Sequence, residues 1–462
     1  MSVAVPNVPD APVEPAWLPD DQVDALFSRL IPFSNLAVAV SGGADSLCLM
    51  TLLSEWKRRS GWRGTLEVLC VDHGLRPESG EEAAFVAKCA GARNLSCTIL
   101  HWAGDRPGRN IQEQARLARY RLMAAHMGRS GAQALLLAHH LDDQAETFLD
   151  RLTRGSGVVG LSAMADDEPA GPEGLRLLRP FLSVPRARLE ASLAERGLIW
   201  CTDPSNTDTK YKRSRLRAIM ALLEDEGLTV ERIARTAGNI RRAGDALDRA
   251  VRDVFRRLVT DHPAGPLKLE RAAFRGLAEE LRLRLLSALI GRATGAAPRL
   301  RLRKLAALDR VLMTDGACRH TLAGVLFHGD AETLFCWREP GRTPPETLAG
   351  VTGEGVWDNR FRYRVPQRAD GGPPLPALCL GPLLAAPGSV RQVVRPDGWP
   401  KAAFDCVPVV WTETGDLCSS CLPAADGIGN FNGFEGAELE RLPFQERLTA
   451  NFSDDGDDEG EN

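Results

Sequence analysis

The sequence predicts an α/β protein built on a doubly wound parallel sheet. A helical region and a small mixed or β-rich C-terminal region follow it. Three observations carry this reading. Short, largely apolar runs recur at 36-LAVAV-40, 66-LEVLCV-71, 95-LSCTILHW-102 and 134-ALLLA-138. Helical patterns separate them, near 45–59, 78–92, 110–129 and 142–153. A glycine pair joins the first run to the first helix. Strands buried on both faces read as unbroken apolar runs, and strand–helix alternation at this spacing builds a parallel sheet.

The remaining elements follow in order. The stretch 176-RLLRPFLSVPRARLEASLAERGLIW-200 predicts a loop and a helix, with Pro185 near the first turn. From about 224 to 312 the chain reads as helical and strongly basic. After about 318, short apolar pieces such as 321-TLAGVLFHG-329 and 406-CVPVVW-411 alternate with Pro and Gly clusters. That texture predicts a small β-rich region. The Pro-rich N-terminus has neither a basic n-region nor an apolar h-region, so no signal peptide is expected. No apolar run reaches the roughly 18–20 residues that span a bilayer.

With 44% apolar and 26% charged residues among 462, the composition is that of a soluble globular chain of several domains. The net charge of −4 is misleading, because the tail 454-DDGDDEGEN-462 alone carries six acids. Only seven of the 57 basic residues are Lys. Arg is the better bidentate phosphate ligand, although genomic base composition also raises its share. Eleven cysteines without regular spacing argue against a secreted disulfide framework. Cys418 and Cys421 form the one close pair, with no second pair or His pair to complete a zinc site.

In parallel sheets ligands sit at the carboxyl ends of strands, which singles out the segments after Val40, Val71 and Ala138. After Val40 comes Ser41-Gly42-Gly43-Ala44-Asp45-Ser46. Two glycines let backbone amides converge on an anion, and the helix that follows adds its N-terminal dipole. Ser41 and Ser46 add hydroxyl donors. Asp45 cannot hold a phosphate directly, so a divalent metal would reconcile the two. Neither a G-x-x-x-x-G-K-[ST] loop nor a G-x-G-x-x-G turn is present. Alone, the loop is equally well a tight βα turn.

After Val71 comes DHGLRPESGEEA, with Asp72, His73 and Arg76 near the strand end and Ser79 and Glu82 spaced as a capping box. An ordinary capped loop explains that stretch alone. After Ala138 comes HHLDDQAETFLDRLTRGSG. His139 and His140 end a strand, and Glu146 lies one helical turn from Asp142 and Asp143. Acids in a first turn also stabilise a helix by themselves. The cluster suits a metal-dependent phosphohydrolase site or a cationic amine equally.

Taken together, SGGADS, VDHGLRPES, 110-NIQEQARLARYR-121, LAHHLDDQAETFLDRLTRGSGVVGL and 200-WCTDPSNTDTKYKRSRLR-217 resemble the tRNA(Ile)-lysidine synthetase family of N-type ATP pyrophosphatases. The motifs keep the family's order and spacing over about residues 35–220. The resemblance implies cleavage of ATP between the α and β phosphates, with adenylation of the wobble cytidine of the isoleucine tRNA bearing a CAU anticodon. The amine of free L-lysine then displaces AMP. The product, lysidine, pairs with A instead of G, and charging switches from Met to Ile. ATP and Mg2+ are the implied cofactors, with Asp45 on the metal.

On this resemblance Ser41, Gly42, Gly43, Ala44, Asp45, Ser46, Asp72, His73 and Arg76 hold ATP, and Arg116 meets the α-phosphate. His139, Asp142, Asp143 and Glu146 orient lysine or the activated base, where an acid can take the amine proton. Arg151, Arg154, Gly155, Ser156 and Gly157 meet the anticodon loop, and Arg213, Arg215 and Arg217 meet the lysine carboxylate or RNA phosphate. Ser214 stands where the family usually has Asn. The implied organisation is a lead-in over 1–25, a catalytic domain over 26–222 and a basic helical tRNA-binding domain over 223–317. A small α/β or β-rich domain over 318–448 and an acidic tail over 449–462 complete it. A cytoplasmic location and a homodimer are further expectations of the resemblance. The rivals are a cytidine 2-thiolase, which needs a sulfur relay, and a non-catalytic tRNA-binding protein, which needs neither Asp45 nor Arg116.

Overall fold

The computed structural model describes residues 15–74, 79–102, 111–201, 212–296, 300–341, 344–365, 377–422 and 437–442. Arg76, residues 202–211 of the last motif and the acidic tail lie outside the described residues. The chain divides into two compact units, 1–153 with 162–239, and 154–161 with 240–462.

The first unit opens with helix α1 (Asp20–Phe27). Strands and helices then alternate: β1 (Asn35–Ala39), α2 (Ala44–Ser60), β2 (Thr65–Asp72), α3 (Ser79–Gly91), β3 (Ser96–His101), α4 (Ile111–Ser130), β4 (Ala134–Leu136) and α5 (Leu141–Leu152). Helix α6 (Val158–Leu161) belongs to the second unit. The first unit resumes with β5 (Asp167–Glu168), β6 (Leu177–Leu178), α7 (Arg186–Glu195), α8 (Lys212–Asp225) and the start of α9 (Val230–Leu258). All four strands and helices expected between 36 and 153 are present.

The sheet runs β3-β2-β1-β4-β6-β5. All neighbours are parallel except the edge pair β5–β6. Side-chain alternation explains the two-sided winding. Leu36, Val38 and Val40 point into a core completed by Leu47, Cys48 and Leu52 of α2, Val86 of α3 and Leu189 of α7. Ala37, Leu69 and Leu135 point the other way, onto Tyr120, Met123 and Met127 of α4. The doubly wound expectation therefore holds. The expected loop at 176–185 differs in one respect: Leu177 and Leu178 extend the sheet beside β4.

The strand order also locates the crevice. From β1 the chain moves outward through β2 to β3, then returns to place β4 on the other side of β1. Binding crevices open at the carboxyl ends of strands where the order reverses. Here those ends are the SGGADS loop after β1 and the AHHLDD segment after β4.

In the second unit, β7 (Val259–Asp261), β8 (Leu267–Glu270), α10 (Arg271–Arg275), α11 (Glu279–Thr294) and α12 (Leu302–Met313) precede β9 (Cys318–Leu322), β10 (Val325–Gly329) and β11 (Thr333–Arg338). These strands form an antiparallel sheet ordered β7-β8-β11-β10-β9. The region from 224 to 312, expected to be helical, thus also contains a hairpin. Pro263, Gly265 and Pro266 turn the chain, and Leu267 and Leu269 alternate into the core. Beyond it, β12 (Leu348–Ala349), β13 (Gly353–Trp357), β14 (Phe361–Val365), β15 (Leu378–Pro382), β16 (Pro408–Thr412), β17 (Leu417–Ser420) and β18 (Glu438–Arg441) form two smaller sheets. The β-rich expectation after 318 holds.

Some of the arginine excess is structural. Buried Arg271 donates to the carbonyls of Thr314 and Gly316, just past the end of α12, and of Asp330, just past β10. Buried Arg284 pairs with Asp248 and Glu280.

Phe181, fully buried against Phe27, fills the core under α7. Phe181→Ala is expected to lower the unfolding free energy by about 3–5 kcal/mol. Urea unfolding checks this, and a loss below about 1 kcal/mol contradicts the packing.

Candidate active site

The glycine loop is held by its own hydroxyl. Ser46 Oγ accepts from the Ser41 amide at 3.1 Å and donates to the Gly43 carbonyl at 3.1 Å. Gly42 has φ +88°, and an added Cβ would lie 3.4 Å from the Cys201 sulfur. Its carbonyl accepts from the Cys201 amide at 3.0 Å. Gly43 is the N-cap of α2 and offers no side-chain cap. The first-turn amides of α2 are therefore open to an anion at the loop. Ala44 and Asp45 begin that helix.

Asp45 is drawn into a carboxylate cluster around His140. The His140 ring is buried, with Nε2 3.6 Å from Asp45 Oδ2 and 3.4 Å from Asp143 Oδ2, and Nδ1 3.4 Å from Asp142 Oδ2. Burial alone would lower its pKa, but Asp142 and Asp45, reinforced by Asp143, raise it to about 10. The ring is then an imidazolium, and Nδ1 donates to Asp142 rather than accepting from the Asp143 amide 3.4 Å away. The Asp143 carboxylate caps α5 from the other side, accepting from the His140 amide at 3.1 Å. Burial pushes the Asp142 pKa up, but the His140 ring and the Arg186 amide outweigh it, so it is lowered.

One turn along α5, Glu146 is 3% exposed and pairs with Arg217 of α8, Oε1 to Nε 2.5 Å. Its Oε2 is buried without a hydrogen-bond partner. Asp143 and Asp45 also act on Arg217, so this pair belongs to the same field. Lys212 Nζ to Asp150 at 2.6 Å fastens α8 to α5 a second time. Helix α8 carries Arg213 and Arg215 in the same first turns.

His139 lies beside the cluster and accepts at Nδ1 from Arg179 Nε at 3.3 Å. Arg179 is buried and also bonds Glu168 and the Ala165 carbonyl. At the end of β2, Asp72 accepts from the Gly74 amide at 2.8 Å, and the Ser79 hydroxyl holds its pKa down. His73 accepts from Arg119 and packs edge-on to Trp102. Burial and Arg119 lower its pKa to about 4, so it is neutral near pH 7. Arg116 stacks over Tyr120, 5.3 Å from the ring centroid. Arg119, one turn further along α4, is the guanidinium that meets a strand-end residue.

Arg151 donates to the Ala163 carbonyl at 3.0 Å. Arg154, Gly155, Ser156 and Gly157 fall in the second unit, with Gly155 at φ +69°. Arg119, Arg179 and Arg186 were not singled out by motif reasoning. Arg186 opens a helix directly after Pro185, which was the one signal available.

The donors suit magnesium. Asp45 Oδ1 is buried and accepts no hydrogen bond. No group of three His, Cys, Asp or Glu set to hold a metal occurs among the described residues. Mg2+ takes one or two carboxylates and completes its shell with phosphate oxygens and water, so one free carboxylate oxygen at an anion loop fits it.

A parallel sheet whose switch point joins a glycine loop to an acid cluster defines a PP-loop nucleotide-binding protein, and the PP-loop domain family matches residues 20–223. The tRNA(Ile)-lysidine synthase of Bradyrhizobium sp. is 40% identical over 66% of this chain and 90% of its own length. That of Ruegeria pomeroyi is 38% identical over 88% and 92%, and that of Wolbachia pipientis wMel 37% identical over 74% and 80%. The chain belongs to the tRNA(Ile)-lysidine synthase family of ligase-type enzymes.

Two outcomes test this geometry. The raised pKa of His140 gives a stabilising contribution that is complete below about pH 6.5 and lost as pH rises to about 10. His140→Asn is expected to flatten the decline in melting temperature between pH 7 and 10. An unchanged decline contradicts the imidazolium. Arg217→Met leaves buried Glu146 uncompensated. With Arg217 a third exposed, the expected cost is about 2–3 kcal/mol. Urea unfolding reads it, and adding Glu146→Gln is expected to recover most of the loss.

Proposed function

We propose that this enzyme joins free L-lysine to carbon 2 of the wobble cytidine of the isoleucine tRNA with a CAU anticodon. The reaction consumes ATP, passes through an adenylated cytidine and releases pyrophosphate and AMP. It switches decoding from AUG to AUA. The observation that carries the amine half is Glu146. A carboxylate buried to 3% exposure, with one oxygen on Arg217 and the other unpartnered, is an unfilled acceptor for an ammonium group.

The roles follow from charge. The SGGADS amides and Ser41 receive phosphate, and Asp45 would hold magnesium, which supplies charge neutralisation on the phosphates. The cytidine O2 attacks the α-phosphorus and the α–β bond breaks. Adenylation makes a poor leaving oxygen into AMP. Glu146 receives the lysine ε-ammonium and takes its proton, so the neutral amine can attack carbon 2. Arg217 meets the amino-acid carboxylate with the exposed part of its guanidinium. His139, Asp142 and Asp143 orient lysine or the activated base.

Arg116, Asp72, His73 and Arg76 serve the nucleotide, and Arg213 and Arg215 serve lysine or RNA phosphate. Arg151 and the Arg154–Gly157 turn meet the anticodon loop. The basic helices of 223–317 dock the tRNA backbone, with salt-dependent affinity. The 318–448 region, by resemblance, helps select the acceptor stem. The enzyme acts in the cytoplasm, as a homodimer by the same resemblance. No helix among the described residues is long and apolar enough to cross a membrane.

The test incubates the protein with that tRNA, ATP and labelled lysine. Label in the tRNA and lysine-dependent AMP are expected. Asp45→Ala and Glu146→Gln are each expected to cut the rate at least a hundredfold, and Glu146→Gln is expected to raise the KM for lysine more than that for ATP. Incorporation that survives Asp45→Ala would sink the loop assignment. Sulfur incorporation instead of lysine would favour a thiolase.

A further inference from the structure

Arg186 occupies an odd position. It is the first residue of α7, where the helix dipole disfavours a cation. Its amide donates to Asp142 Oδ2 at 2.9 Å, which seats the start of α7 beside the start of α5. The Leu141 amide donates to the Val184 carbonyl at 3.0 Å and locks the same junction. Its Nε lies 3.0 Å from Glu190, one turn along its own helix, and 4.0 Å from Asp45 Oδ1. Both facing atoms, Arg186 Nε and Asp45 Oδ1, are buried without a hydrogen bond. The fold thus brings a guanidinium to the mouth of the loop, with its Nε facing the carboxylate there but making no hydrogen bond to it.

The first turns of α2, α5 and α7 meet at this point through Asp45, Asp142 and Arg186. Three helix N-termini favour an anion. The acids now around them, Asp45, Asp142, Asp143 and Glu190, outnumber the cations His140 and Arg186. A polyphosphate entering this field needs a positive group that can turn toward it. Arg186 is suited: its side chain is held by a half-exposed i,i+4 pair with Glu190 and a long 4.0 Å contact with Asp45, and such pairs are weak. Arg217, by contrast, is held by buried Glu146.

We propose that Arg186 leaves Glu190 to bind the pyrophosphate portion of ATP. There it stabilises the leaving group as the α–β bond breaks. The electron pair of that bond goes to the bridging oxygen that departs with the β-phosphate, and the cytidine O2 forms the new bond to the α-phosphorus. Arg186 neutralises charge growing on the departing oxygen and neither gives nor takes a proton. This rests on the ATP-dependent reading above.

The test measures binding of magnesium pyrophosphate and of AMP separately to the full chain by calorimetry. Arg186→Gln is expected to weaken pyrophosphate about tenfold to a hundredfold while AMP changes less than twofold. Arg186→Lys should fall between, because it keeps the charge and loses the fork. Glu190→Gln should bind pyrophosphate no more weakly than the unaltered chain. Pyrophosphate binding retained within twofold in Arg186→Gln overturns the assignment, as does a parallel loss of AMP in both Arg186 variants. So does a tenfold loss in Glu190→Gln, which would mean the pair itself is required. An unaltered chain that binds neither ligand overturns the ATP reading and this inference with it. One that binds both, while Arg186→Gln keeps pyrophosphate, overturns the Arg186 role alone.

Discussion

A buried imidazole among three carboxylates is the constraint on which the site depends. His140 reaches Asp45 of the glycine loop on one side and Asp142 and Asp143 of α5 on the other. Three acids this close would repel one another at neutral pH. The imidazolium lets them share a few ångströms, and in doing so it draws the end of β1 and the end of β4 into one site. Deprotonated, the same ring would leave the Asp45 and Asp142 charges facing each other with little between them.

The sheet makes that contact available. Because β1 lies between β2 and β4, the loops leaving β1 and β4 open on the same crevice. Cores on both faces hold the strands in place, one built around α2 and α7 and the other around α4. The site thus inherits its rigidity from ordinary apolar burial. Three buried atoms of the site are left without a hydrogen bond: Asp45 Oδ1, Glu146 Oε2 and the Nε of Arg186. Buried polar atoms without partners are costly in a finished core, and here they gather at the crevice where the proposed reaction needs ligands of both signs. On the proposed reaction, the loop side would receive phosphate and the α5–α8 side an amine and a carboxylate.

The second unit shows how the same residue type can serve two ends. Arg271 and Arg284 are consumed by carbonyls and acids inside the fold. Arginine count alone therefore overstates the surface available to RNA. The hairpin at 259–270 shows a related limit of pattern reading. Its strands span three and four residues, too short for alternation to outweigh the helical signal on either side.

What the sequence determined by itself was whatever depends on local order. Apolar runs set β1 to β4, Gly42 set a turn that needs positive φ, and five motifs in order set the family. The acids of α5 were legible because i+3 and i+4 spacing puts them on one helical face. Tertiary structure alone decided the pairings across long separations. Glu146 meets Arg217, His140 meets Asp45, and Arg186 meets the loop mouth. None of these has a signature in spacing, because each partner is set by which strand ends become neighbours. Arg119 rather than Arg116 reaches His73 for the same reason: the two side chains differ by about 60° in direction around α4, and only the packed helix fixes which guanidinium points at the end of β2.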